Sequence, residues 1–202
     1  MKNKSKYTAA AAQLGPIDPG DTKESVVARM LNLLIEAKTK ETALVVFPEL
    51  CLTTFFPRYY ITDPANLDTY YESEVPISLM SDMFELVRKE KIIISFGYAE
   101  KDNGIPFNTS VYVDSSGNMI GKYRKIHLPG HYEYEPERPF QHLEKRYFTK
   151  GNLGFPTFDT TLGRLGMCIC NDRRWPETYR VLALQGCEVV TLGYNTHWHA
   201  AG

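Results

Sequence analysis

Nowhere in the 202 residues does an uninterrupted apolar run reach the roughly 18 residues of a membrane-spanning helix, which leaves no candidate for one. An excess of one charge is missing as well. The chain has 23 Lys and Arg against 24 Asp and Glu, a net charge of -1, and basic residues that are scattered except from Lys122 to Lys125. Such a surface has no field with which to hold nucleic acid. Cysteine is scarce. Cys51, Cys168, Cys170 and Cys187 are too few for the disulfide framework of a secreted domain and read as reduced thiols. Cys168 and Cys170 are expected on opposite faces of a strand, and no second Cys or His pair has ligand spacing, so no metal site and no cofactor is expected. The basic start MKNKSKYTAA runs into AAAAQLG without the bulky apolar centre of a signal peptide. These absences describe a cytoplasmic protein with neither membrane nor nucleic acid as partner.

What is present is enough apolar material for one sizeable core, since 43% of the residues are hydrophobic and the length suits a single domain. Tyr7 to Leu14 reads as a first strand. A helix begins at Asp21, where Glu24 completes a capping box and Val27, Met30, Leu31 and Leu34 recur at helical spacing. Ala43 to Phe47 is a short continuous apolar run, the pattern of a strand buried on both faces, and Glu49 follows at its end. The aromatic-rich stretch from Leu52 to Tyr71 is a packed lid or interface rather than a linker. Ser78 to Lys91 reads as a helix, Ile92 to Tyr98 as a strand, and Phe107 to Val113 with Met119 to Tyr123 as an antiparallel hairpin. Lys125 stands just past that hairpin, at the start of a long loop from His127 to about Phe155. The succession implies a layered α/β domain with mixed sheet pairing.

The most informative stretch is RLGMCICNDRRWPETYR, Arg164 to Arg180. Leu165, Met167 and Ile169 alternate with smaller residues up to Cys170, and the chain then turns polar at Asn171-Asp172-Arg173-Arg174. A helix from Pro176 to Gln185 follows, with Pro in its first turn and Gly186 as its stop, and a strand from Glu188 to Leu192 comes after it. A cysteine at the carboxyl end of a buried strand sits where open α/β sheets place reactive groups. The two arginines beside it are expected to lower its pKa and to draw an anionic substrate, and one of them is free to pair with Asp172 or Glu177 instead.

Glu49, Lys125 and Cys170 each end a strand, so one sheet edge can gather them. A carboxylate takes the thiol proton, the thiolate attacks a carbonyl carbon, and the lysine with the Asn171 backbone N–H stabilises the oxyanion. Spacing alone leaves the plainer alternatives open: a loop-end carboxylate, a solvated lysine and an inert core thiol.

At these same residues the chain resembles a known family. PELCLTTFFPR around Glu49, GKYRKIHLPG around Lys125 and CNDRRWPE from Cys170 resemble the three signature segments of the nitrilase, or carbon–nitrogen hydrolase, superfamily. FPRYY, RPFQHLEKRYF and CNDRRWPETYR are similar to segments of N-carbamoyl-D-amino-acid amidohydrolases, and the likeness runs from about Tyr7 to Asn195. The resemblance implies a four-layer αββα sandwich and hydrolysis of the carbamoyl C–N bond of an N-carbamoyl-D-amino acid. It implies catalysis by Glu49, Lys125 and Cys170, with Glu144 as a second active-site glutamate. It places His127, His142, Asn171, Arg173, Arg174 and Asn195 around the substrate, where a guanidinium fork suits a carboxylate.

The chain departs from the family in length. Members continue through further strands and helices, so the resemblance implies a single domain lacking its C-terminal elements, a homo-oligomer at full length, and the Pro176 to Gln185 helix at a subunit interface. The alternatives are a relative that cleaves another amide, ureido compound or nitrile, and an inactive fragment that serves only in association.

Overall fold

The architecture grows from the apolar run that precedes Glu49. In the computed structural model, which describes residues 6–195, that run is strand β2, Thr42–Val46, inside a five-stranded sheet of order β1-β2-β3-β4-β5. Its neighbours are β1 (Thr8–Ala11), β3 (Ile93–Asp102), β4 (Ile105–Val113) and β5 (Met119–Arg124). The first three strands are parallel, β4 runs back antiparallel, and β5 therefore runs with β2 again. Consequently β2 and β5 end at the same edge, which is how Glu49 and Lys125 come to share a site. A second sheet of order β6-β7-β8 is formed by Thr157–Thr160, Gly163–Ile169 and Val189–Gly193.

Alternation along β2 assigns its two faces. Val45 and Phe47 pack in one cluster with Val26, Met30 and Leu34 of helix α1 (Lys23–Thr39). A short α2 (Pro64–Asp68) follows in the chain, and α3 (Ser81–Glu90) adds Met83, Phe84 and Val87 to that same cluster. Leu44 faces the other way and packs with Tyr112 and Tyr123 against Leu165, Met167 and Ile169 of β7. Tyr112 ties the sheets together, because its hydroxyl donates to the Gly166 carbonyl at 2.8 Å and lies 2.6 Å from Thr191 Oγ1. A short α4 (Glu144–Tyr147) precedes β6, and α5 (Pro176–Leu184) covers the outer face of the second sheet, with Leu182 over Gly166. The layers are helices, sheet, sheet and helix, the αββα sandwich. The outward side of α5 leaves Tyr179, Val181 and Leu184 exposed.

Several local expectations need correction. The cap of α1 is Thr22, whose Oγ1 accepts the Ser25 N–H at 3.2 Å, while Asp21 bonds to Asp18 N–H and Arg29 instead. Thr22 wins because it holds the extended backbone a cap requires, at φ -83 and ψ 154. The first strand is only four residues long. The third continues past Tyr98 to Asp102 and turns at Asn103-Gly104, both at positive φ, directly into β4. Thr157–Thr160, left unassigned by sequence pattern, pairs antiparallel with β7. The long loop after Lys125 contains α4, pinned to the lid by Tyr147: its hydroxyl donates to the Tyr59 carbonyl at 2.7 Å and accepts the Ile61 N–H at 2.8 Å. Phe56 completes this lid, stacked 4.7 Å from Tyr70.

Strand β3 passes directly beneath Glu49. A Cβ at Gly97 would stand 2.8 Å from Glu49 Cα and from Leu50 N, both backbone atoms that cannot swing aside. Gly97→Ala is therefore expected to cost about 1–3 kcal/mol of stability, read as a lower urea midpoint. An unchanged midpoint would show that the two backbones are not in contact.

Candidate active site

Three strand ends and one short helix deliver the chemistry. Glu49 follows β2, Lys125 follows β5 immediately, Cys170 follows β7 immediately, and Glu144 opens α4. The side chains of Glu49, Lys125 and Glu144 are all 0% exposed, so the lysine cannot be a solvated charge. Lys125 Nζ donates to Glu49 Oε1 at 2.7 Å and to Glu144 Oε2 at 2.5 Å. Asn108 of β4 supports both carboxylates, with Nδ2 at 2.7 Å from Glu49 Oε1 and 3.3 Å from Glu144 Oε2. The remaining oxygens are also occupied: Glu49 Oε2 accepts the Asn195 N–H at 3.1 Å, and Glu144 Oε1 lies 3.2 Å from His142 Nε2. Arg58, from the lid, donates to Asn195 Oδ1 at 3.1 Å and so braces the residue that caps Glu49.

Cys170 leaves the strand in a left-handed conformation at φ 44, unusual for a residue other than glycine, and a 3-10 turn over Cys170–Arg174 follows. This twist also explains the two cysteines. Residues two apart in an unbroken strand share a face, yet Cys168 interacts with Tyr179 of α5 while Cys170 interacts with Glu49 and Lys125. They separate because β7 stops at Ile169. Arg173 curls back over the turn, with Nη1 2.8 Å from the Cys170 carbonyl and 3.7 Å from its Sγ. Arg174, the last residue of the turn, is exposed. Asp172 pairs with neither arginine. It is buried and accepts from Tyr123, from His127 and from backbone. Asn171 directs its side-chain amide to the His127 carbonyl at 3.0 Å, and the His127 ring stacks on Trp175 at 4.8 Å.

The carbon-nitrogen hydrolase family model matches residues 8–202. The chain belongs to the carbon-nitrogen hydrolase family. It is 28% identical over 175 residues to a citrullinase of Francisella tularensis subsp. tularensis, covering 84% of this chain and 56% of that protein. With the N-carbamoylputrescine amidase of Solanum tuberosum it shares 28% identity over 185 residues, covering 91% of this chain and 56% of the relative. The crystal structure of a carbon-nitrogen hydrolase from Helicobacter pylori G27 superposes with a TM-score of 0.75 at 27% identity, over 97% of this chain and 61% of the other. The chain thus spans about half the length of the curated relatives it matches.

Electrostatics in this carbon-nitrogen hydrolase site run against one expectation from sequence. Burial pushes the Cys170 thiol up to about 12, and the negative charge of Glu49 adds to the rise, outweighing Lys125 and Arg173. Adjacent arginines do not lower a thiol pKa when the thiol is dehydrated and faces carboxylates. The two glutamates are pushed apart. Burial, reinforced by Glu144, raises Glu49 above the ordinary carboxylate range despite Lys125. For Glu144, burial is outweighed by Lys125 and His142, and its carboxyl is held below that range. Burial would strip Lys125 of its proton, but Glu144 and Glu49 outweigh it and hold the ammonium above the usual lysine range. A carboxylate with raised proton affinity beside a thiol is the arrangement general-base catalysis needs.

Sequence reasoning missed Asn108, Arg58, Tyr123 and the role of Asp172. Asn108 alone gave a signal, as an amide inside an otherwise apolar and hydroxyl-bearing strand.

Removing the cation leaves two buried carboxylates with none. Lys125→Ala is expected to lose about 3–5 kcal/mol at neutral pH, so its defect is one of folding as well as of rate. Without Lys125 both carboxyls would bind protons more tightly folded than unfolded, so stability should recover as pH falls through their raised values. Denaturant melts at neutral and mildly acid pH read both effects, and a variant as stable as the parent at pH 7 would contradict the charge assignment.

Proposed function

We propose that this site hydrolyses the carbamoyl C–N bond of N-carbamoyl-D-amino acids through a cysteine-bound intermediate. Glu49 accepts the Cys170 proton as the sulfur attacks the carbamoyl carbon, and the ammonium of Lys125 balances the charge that develops on oxygen. The C–N bond to the amino acid then breaks, its nitrogen takes the proton from Glu49, and a thiocarbamate remains on Cys170. Water, deprotonated by Glu49, attacks that carbon and releases the thiol and a carbamate, which falls apart to CO2 and ammonia. Glu144 stays ionised throughout, because its task is to hold Lys125.

The observation that carries the substrate assignment is the Arg173 guanidinium, folded over the Cys170 turn with one N–H on the Cys170 carbonyl and its cation 5.3 Å above the Tyr194 ring. While the sulfur attacks the carbamoyl carbon the amino acid is still attached, and its α-carboxylate, a few bonds from the reacting carbon, is within reach of that cation. The name of the Solanum tuberosum relative supports carbamoyl chemistry, although N-carbamoylputrescine carries an amine where a carbamoyl amino acid carries a carboxylate. Discrimination by charge therefore separates this reading from the alternative of another ureido or amide substrate.

The test compares ammonia release from N-carbamoyl-D-amino acids, their L-enantiomers, the corresponding neutral amides and N-carbamoylputrescine. The D-acids should be turned over best, and Arg173→Ala should penalise them relative to the amides by about 1.5–3 kcal/mol in kcat/KM. Equal rates on acid and amide, or a preference for N-carbamoylputrescine, would overturn the assignment.

A further inference from the structure

Asp172 is fully buried within the nucleophile turn, and both of its oxygens are saturated by donors from two different strand ends. Oδ2 accepts the Tyr123 hydroxyl at 2.8 Å and the Ile169 N–H at 2.9 Å. Oδ1 accepts the His127 N–H at 3.1 Å and lies 2.8 Å from His127 Nδ1. The Tyr123 hydroxyl in turn accepts the Ile126 N–H at 3.2 Å. These donors bracket the two reactive residues. Tyr123, Ile126 and His127 lie on either side of Lys125, while Ile169 and Asp172 lie on either side of Cys170.

We infer that Asp172 is a positioning residue, which clamps the segment carrying Lys125 to the turn carrying Cys170 and holds the thiol in its left-handed conformation over Glu49. Three properties fit a clamp. The carboxylate closes the turn on itself by taking the Ile169 N–H, so Cys170 is fixed between a bonded residue before it and the bonding residue after it. It needs no arginine, and both arginines of the turn are left for other work. It also sets the histidine tautomer: an ionised carboxylate only accepts, so Nδ1 carries the proton and Nε2 of a neutral ring offers a lone pair. The inference rests on Cys170 being the nucleophile of the proposed reaction, since a misplaced thiol matters only if the thiol reacts.

Asp172→Asn keeps the shape and replaces one acceptor oxygen by a donor, which sets an N–H against an N–H or O–H at one end of the clamp. With Cys170 shifted by a fraction of an ångström to an ångström, kcat should fall on the order of 100-fold with KM little changed. Iodoacetamide labelling followed by mass spectrometry gives a reading independent of substrate. Labelling of Cys170 should slow about tenfold or more, while that of half-buried Cys187 stays at the parent rate. In the parent, Glu49→Gln should slow Cys170 labelling, and in the Asp172→Asn background it should add little, because the thiol no longer faces the base. If Asp172→Asn does not fold, Tyr123→Phe removes one donor and should slow Cys170 labelling by a smaller factor.

A folded Asp172→Asn protein with a lower melting temperature but parental Cys170 labelling and kcat would show that Asp172 only stabilises, and the clamp would be refuted. Parental labelling in Tyr123→Phe would refute it equally. Absence of carbamoylase turnover in the parent would sink the substrate assignment and leave the labelling comparison to decide the clamp.

Discussion

The site depends on one ammonium group shared by two carboxylates, all three side chains fully buried. Lys125 between Glu49 and Glu144 leaves a net negative charge when all three are ionised, and Asn108 and the Asn195 N–H can soften that excess but not cancel it. The excess falls unequally. His142 gives Glu144 a second partner, whereas Glu49 has the lysine, two neutral donors and the repulsion of Glu144. Identical side chains therefore acquire opposite tendencies, one a fixed anion and the other a group able to take a proton from a reluctant thiol.

The fold serves this cluster by controlling where strands end. β2 and β5 point the same way because two antiparallel steps separate β3 from β5, and β7 brings Cys170 up from the facing sheet. The core between the sheets, with Tyr112 and Tyr123 against Leu165, Met167 and Ile169, fixes the distance between them, and Gly97 lets β3 pass under Glu49 without pushing it outward. Packing here sets reactive geometry: a shift between the sheets changes the separation of Cys170 from Glu49 and Lys125.

Much of this was legible in the sequence because apolar periodicity marks strands and their ends. The run before Glu49, the hairpin before Lys125 and the alternation before Cys170 each identified a strand end, and the three signature segments pointed to the family that the chain-wide match shows. What was not legible depended on partners distant in sequence. Nothing in Asn171-Asp172-Arg173-Arg174 says that Asp172 will turn from its neighbouring arginines to Tyr123 and His127, 49 and 45 residues away. The thiol pKa failed for a related reason: adjacent arginines are visible in sequence, but dehydration and the facing carboxylates are not. The separation of Cys168 from Cys170 was expected, but strand alternation would have put them together, and only the left-handed backbone at Cys170 separates them. The Asn103-Gly104 turn is a different kind of miss, since Asn-Gly between two apolar runs is a hairpin signal present in the sequence.

The central claim is that burial around a shared lysine, with His142 favouring only Glu144, drives the two glutamates to opposite sides of the ordinary carboxylate range. Carbon-13 NMR of protein labelled at glutamate side-chain carboxyls measures this directly, with Glu49→Gln and Glu144→Gln assigning the two resonances. The account predicts that Glu49 titrates above the ordinary range and Glu144 below it. Two ordinary titrations, or a Glu144 resonance that takes up its proton at higher pH than Glu49, would contradict it.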